Sequence, residues 1–190
     1  MIRVLTLLLI FTGLNLSFSQ EKNEFERRIK PDEVHENAKK WLKNTYQKGR
    51  KTKWYYQTDG QKEVFEAKLK HQNHLHSVEF NLAGTVQNIE ILIDQSEVDK
   101  EVLKAIMSFL DASYMPYLYS KLQIQYTGDK DDLEKLISKH EPKDLEVNYE
   151  IEFYGKSNSD DELWEALFDD KGNFVQKRII NLKATDNLDY

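Results

Sequence analysis

His71-Gln72-Asn73-His74-Leu75-His76 puts three imidazoles within six residues, a density that can hold Zn²⁺ or Cu²⁺ through neutral ring nitrogens. His71, His74 and His76 are therefore the candidate metal ligands. The same stretch also suits a polar hairpin turn, with His76 on a covered sheet face, His74 at its rim and His71 across the turn. His35-Glu36 opens like a zinc-protease HExxH, but Lys39 stands where the second imidazole is needed, and an ammonium cannot ligate the metal. Asp129-Lys130-Asp131-Asp132-Leu133-Glu134 has neither the Gly nor the downstream Glu of a calcium loop, and Leu133 falls at a ligand position. Acids at a helix N-terminus explain that run better. The chain has no Cys, no G-x-S-x-G elbow, no Walker loop and no dinucleotide fingerprint. Carboxylates are so abundant that no pair stands out for acid–base work. The sequence thus reads as a non-enzyme without a cofactor.

Aromatic density is the remaining signal. Trp54-Tyr55-Tyr56 and Tyr114-Met115-Pro116-Tyr117-Leu118-Tyr119 are crowded with rings. In a strand Tyr55 opposes Trp54 and Tyr56, so both faces are aromatic. One can pack on a helix, while the other is wet, covered by another part of the chain, or used for a partner. Tyr and Trp are favoured interface anchors, each contributing about 2 kcal/mol or more when central. Trp54, Tyr55, Tyr56, Tyr117 and Tyr119 are the candidate partner-binding residues.

The first twenty residues, MIRVLTLLLIFTGLNLSFSQ, have a basic start, an apolar run and small residues at Ser17 and Ser19, the pattern of a secretory signal peptide cleaved before Gln20. The expected destination is the periplasm or the outside of the cell, with no membrane span after cleavage. The formal net charge is −6, and −7 once Arg3 leaves with residues 1–19. An acidic chain gains no counterion release on a phosphate backbone, so nucleic acid is excluded as a partner class. Without Cys, stability must come from the core alone.

The elements follow from periodicity. Residues 20–30 are polar and read as a flexible lead-in. Pro31-Asp32-Glu33 starts a helix carrying Val34, Ala38, Trp41, Leu42 and Tyr46 at helical spacing. Period-two alternation then takes over, with Asp59-Gly60 as a hairpin signal, Phe65, Ala67 and Leu69 opposite Glu66, Lys68 and Lys70, and a turn at Leu82-Ala83-Gly84. The order repeats. Ser96 with Asp99 resembles a capping box ahead of Val98, Val102, Ile106, Phe109 and Leu110. Leu122, Ile124 and Tyr126 alternate with Lys121, Gln123 and Gln125. Residues 129–140 form an extra short helix, and Asp170-Lys171-Gly172 closes the last hairpin. Residues 184–190 are a tail.

Phe65-Glu66 matches Tyr149-Glu150, Phe80-Asn81 matches Phe168-Asp169, and Gly84 matches Gly172. The motifs Phe65-Glu66-Ala67-Lys68-Leu69, Val78-Glu79-Phe80-Asn81-Leu82-Ala83-Gly84, Tyr149-Glu150-Ile151-Glu152-Phe153 and Phe168-Asp169-Asp170-Lys171-Gly172 resemble the tandem PepSY-like, or β-lactamase-inhibitor-like, domains of exported bacterial proteins. Leu167 stands where that pattern has Glu. The resemblance implies an α+β fold of two similar units, residues 31–94 and 95–183, each a helix packed on a curved antiparallel sheet of about four strands. It also implies a binding module without a reaction of its own. The expected function is protein–protein interaction, inhibitor-like, with an unidentified protein of the envelope or exterior. The alternative is a carrier of a small ligand or metal, held between helix and sheet or by the three histidines.

Overall fold

Alternating apolar and polar residues over most of the chain build strands that bury one face, and the computed structural model arranges nine of them in one continuous sheet. The structure describes residues 20–46, 51–59, 62–157 and 160–182. The leader and the tail lie outside the described residues. The strands are β1 (Gln20–Ile29), β2 (Thr52–Thr58), β3 (Glu63–His71), β4 (His74–Asn81), β5 (Val86–Leu92), β6 (Tyr117–Thr127), β7 (Glu146–Ser157), β8 (Asp160–Asp169) and β9 (Phe174–Leu182). The helices are α1 (Glu36–Thr45), α2 (Lys100–Tyr114) and α3 (Lys130–Lys139).

The described residues form one sheet and not the two separate sheets of about four strands that the sequence suggests. Neighbours pair antiparallel from β1 through to β9, and β5 pairs β6 across the expected boundary, Ile91 beside Ile124. The ring closes where β1 meets β9 in parallel, Gln20 beside Arg178 and Glu24 beside Leu182. Residues 20–29, read as a lead-in because they are polar, are the closing strand. Their first half pairs β9 and their second half β2. Closure removes both exposed sheet edges, which explains why a polar segment is held in place by backbone bonds.

The helices lie outside the barrel and cover its apolar face. Ala38, Leu42 and Tyr46 of α1 pack with Trp54, Ala67, Val78, Phe80 and Ile89; Ile106, Leu110 and Tyr114 of α2 pack with Leu122, Ile151, Phe153, Trp164, Ala166 and Phe168. The extra helix α3 crosses to the other half. Its Leu133, Leu136 and Ile137 join the α1 cluster, and Trp41 Nε1 donates to the Lys130 carbonyl at 3.4 Å. Because β6 lies beside β5, its end at Thr127 is next to Asn88, and the segment that follows emerges over the first half.

Within the single barrel the halves share local devices. Glu33 accepts from its own turn at Lys30 N (3.0 Å), and Glu97 does the same at Asp94 N (2.8 Å). Each turn is followed by a buried Val, Val34 and Val98, and by an N-cap, His35 and Asp99. The expected pairing of Ser96 with Asp99 is replaced by Asp94 with Glu97, and Asp99 caps α2 by accepting from Glu101 N and Val102 N. Gly84 N donates to Asn81 O (2.8 Å) and Gly172 N to Asp169 O (3.0 Å), both glycines having φ +79°. A Cβ on Gly84 would lie 2.8 Å from Ala38 N of α1, and one on Gly172 2.7 Å from Val102 O of α2. Each hairpin corner thus presses backbone against a helix.

Candidate functional site

With the apolar side chains turned outward to the helices, the alternate positions point into the barrel. Register aligns them in rows: Lys68 beside Ser77, Ser77 beside Glu90 and Glu90 beside Gln125 in one; Lys121 beside Glu152, Glu165 and Arg178 in another. They surround a cavity of about 610 Å³ lined by residues of seven strands. The apolar interfaces between helices and sheet are filled by the two core clusters instead.

Charge dominates this lumen. Six carboxylates line it (Asp59, Glu66, Glu79, Glu90, Glu150 and Glu152) against four cations (Lys62, Lys68, Lys121 and Arg178), a formal excess of 6 − 4 = 2 negative charges. Most pair locally. Lys68 Nζ reaches Glu26 at 2.6 Å and Glu66 at 3.1 Å, Lys62 reaches Glu79 at 2.8 Å, Lys121 reaches Glu152 at 2.9 Å, and Arg178 Nε reaches Glu165 at 2.5 Å. Burial alone would lower the pKa of Lys68, Lys121 and Arg178. Carboxylates outweigh it, Glu66, Glu152 and Glu165 in turn, and each cation ends above its ordinary value. Glu66 is 5% exposed, and burial raises its pKa against the pull of Lys68 and the hydrogen bond donated by Ser77 Oγ.

Glu90 differs. It has no cation within 4.0 Å among the described residues; its carboxylate accepts instead from two amides, Gln125 Nε2 at 3.0 Å and Gln123 Nε2 at 3.2 Å. Burial, followed by the nearby Glu79 charge, pushes its pKa up to about 7. Beside it, the side-chain oxygens of Asn88 and Gln123 are buried and accept no hydrogen bond from the protein. Glu150, Glu152 and Glu165 each bring one carboxylate oxygen within 4.8 Å of the others. A dication there would compete with Lys121 and Arg178 for two of the three.

One rim of the lumen is apolar. Continuing the row of Lys121 and Glu152 outward by one step on the inner face, Leu118 lies beside Tyr154 and Tyr154 beside Leu163. Leu118 is 67% exposed, Tyr154 44% and Leu75, on the cavity wall, 56%.

Two of the three histidines stay together, and His74 turns away. His76 is buried, its Nδ1 3.1 Å from Tyr46 Oη; His71 stacks edge-on against both the Tyr46 and His76 rings. His74 Nε2 turns to Glu97 Oε1 at 2.8 Å and links the first half to the turn before α2. The hairpin between β3 and β4 is tighter than expected, with Gln72 and Asn73 both at positive φ. Of the five aromatic candidates, Trp54 is core, tilted against Phe80 at 5.9 Å. Tyr56, Tyr117 and Tyr119 pack on the helix-covered side, Tyr117 edge-on to Phe153 with its hydroxyl on Asp111. Tyr55 is on the inner face beside Glu66, with Lys68 Nζ 4.8 Å from its ring centroid.

The lumen residues were not singled out from sequence. Alternation shows that one strand face is polar, and an open sheet would give that face to solvent. A signal was nevertheless present: the polar positions of neighbouring strands carry facing opposite charges, and Asn88 and Asn148 stand within strands, where Asn is unfavoured.

No family model matches the chain, so the PepSY-like resemblance stays with the motifs that carry it. No curated protein matches it. Solved structures do share its fold. A DUF2874 family protein from Bacteroides ovatus ATCC 8483 superposes with a TM-score of 0.56 at 15% identity, over 77% of this chain and 87% of that one. A protein from Bacteroides eggerthii DSM 20697, provisionally described as periplasmic, superposes with a TM-score of 0.55 at 14% identity, over 77% and 88%. A BLIP-like protein from Bacteroides fragilis NCTC 9343 reaches 0.49 at 13% identity, over 81% and 91%, too loose a superposition to carry an argument. At these identities the likeness is one of fold. No helix among the described residues is long and apolar enough to cross a membrane.

Proposed function

We propose that the chain is exported to the periplasm or beyond and binds another protein through the inside of its barrel, without chemistry of its own. The observation that carries this reading is the lumen: a cavity of about 610 Å³ whose charges are arranged in fixed pairs and whose mouth bears exposed apolar side chains. A charged interior suits a partner's loop that brings complementary charges, and the apolar lip adds surface that such a loop can cover. The carboxylates mostly face cations of the same wall instead of converging on a vacant reacting point. Export is supported by the leader pattern in residues 1–19 and by the description of the B. eggerthii relative in fold. The matched corners at Gly84 and Gly172 support a duplicated origin for the two halves, closed into one barrel.

A second reading, a carrier of a small polar ligand, is favoured by the cavity volume, which falls in the range of small-molecule sites. The two readings separate by photo-crosslinking in the native envelope. A photoreactive residue at Leu118 gives a discrete heavier species if a protein enters the mouth, while one at exposed Lys104 of α2 gives none. No species at either position, together with a small bound mass in native mass spectrometry, replaces the protein partner with the ligand.

A further inference from the structure

The two halves of the barrel correspond strand by strand. Gly84 and Gly172 mark equivalent corners, and a register shift precedes each, between Glu79 and Phe80 and between Leu167 and Phe168. Val86, Ile89 and Ile91 of β5 then answer to Phe174, Lys177 and Ile179 of β9. Counted from the N-caps His35 and Asp99, Trp41 of α1 answers to Ala105 of α2. In the first half this flank is covered. Helix α3 lies against α1 and β5, its Leu133, Leu136 and Ile137 join the core, and Val86 and Ile89 are only 4% and 0% exposed. In the second half no described helix takes the corresponding place. Helix α3 follows β6, whose counterpart is β2, and β2 runs instead into a short turn at 59–62, closed by Lys62 N on Asp59 Oδ1 at 2.8 Å. Ala105, Phe109, Phe174, Lys177 and Ile179 are left half-buried, and Val175 beside Phe174 is 53% exposed.

We propose that this flank, along α2 and over β9, receives an amphipathic helix of a partner protein, set on the second half as α3 is set on the first. The surface lies outside the barrel and is separate from the lumen. The occupant's form follows from α3, whose Leu133, Leu136 and Ile137 make an aliphatic stripe at i, i+3 and i+4. Phe109 and Phe174 stack at 4.4 Å between centroids and 11° between planes, a flat aromatic floor for such a stripe. Trp41, which bonds to the Lys130 carbonyl of α3, gives way to Ala105, and Ala112, two turns on along the same flank, is exposed. Small side chains there let a second helix come close. Lys177 adds a charge where Ile89 stands in the first half. Its Nζ donates to Tyr114 Oη and lies 4.9 Å from the Tyr114 and Trp164 ring centroids, with no carboxylate of the described residues within 4.0 Å. An unpaired cation at the edge of an apolar surface selects an Asp or Glu beside the partner's stripe.

The test titrates a helix-stabilised peptide copying residues 129–140, which carries both the stripe and acidic neighbours, into the protein while NMR follows the Val175 and Ile179 methyl groups. The expected result is a saturable shift of both. Ala112→Glu, on the exposed helix surface, weakens it at least fivefold, and Lys177→Gln at least threefold. Lys104→Gln, on the solvent side of α2 nearly opposite Ile106, leaves it unchanged, as does Ser120→Trp inside the barrel mouth. A scrambled peptide that spreads the three aliphatic residues around the helix fails to reproduce it. No saturable shift, or an equal one in Ala112→Glu or with the scrambled peptide, overturns the proposal. Loss of the shift in Ser120→Trp means that the peptide enters the lumen, and overturns it while leaving the lumen reading in place. Shifts at Ile89 and Leu133 in place of Ile179 mean that the peptide exchanges with α3, and also overturn it. A shift of Ile179 with protein concentration alone, with a doubled mass in analytical ultracentrifugation, overturns it in favour of a second copy of this chain.

Discussion

Glu90 holds its carboxylate with two amides and no cation, and that arrangement has a thermodynamic signature. Its folded pKa, pushed up to about 7, lies above that of a free carboxyl, about 4.3. Between those values the folded protein keeps a proton that the unfolded chain has released, so stability falls as pH rises through the window and the cost is complete above about pH 7. Glu90→Gln removes the titration. Urea denaturation should find the variant more stable than wild type at pH 8, by up to roughly 3 kcal/mol, with the advantage vanishing toward pH 4. An equal difference at both pH values would show that Glu90 carries no such burden. A charge that costs stability at neutral pH fits a role in binding better than one in folding. Nothing in Ile89-Glu90-Ile91 alone distinguishes it from a solvent-facing Glu. Its character comes from Glu79, Gln123 and Gln125 on neighbouring strands, which only the register brings beside it.

At the scale of elements, most strands were legible because apolar residues such as Phe65, Ala67 and Leu69 alternate cleanly. The helices were legible because Ala38 and Leu42, or Ile106 and Leu110, share one face. Residues 20–29 were not, because Gln20-Glu21-Lys22-Asn23 has no alternating apolar set and is placed by pairing with two partners distant in sequence. The position of α3 was hidden for a similar reason. Its apolar stripe announces a helix, but which core receives it depends on β5 lying beside β6. The corner glycines are the clearest case of sequence specifying geometry. Gly84→Ala and Gly172→Ala each force a Cβ at positive φ into the backbone of a helix. Each should lower stability by about 2 kcal/mol in chemical denaturation. A cost below a few tenths of a kcal/mol at either position would mean that corner does not press on its helix.

For the molecule as a whole, the difference between two adjacent units and one closed barrel changes where binding can occur. Two open units would leave an aromatic face for a partner. In the barrel most of those rings, Trp54 among them, support the helices, and the polar face becomes an interior. Sequence periodicity fixes which side chains share a face, but whether that face meets bulk water or a lumen is decided by closure. The central claim is that partners enter this lumen through the rim near Leu118. Ser120, exposed at that rim and on the cavity wall, can be changed to Trp to block the entrance without touching the core. The deciding measurement is the yield of the Leu118-crosslinked species in Ser120→Trp against the parent at equal thermal stability. A loss of tenfold or more is predicted; an unchanged yield would contradict binding inside the barrel.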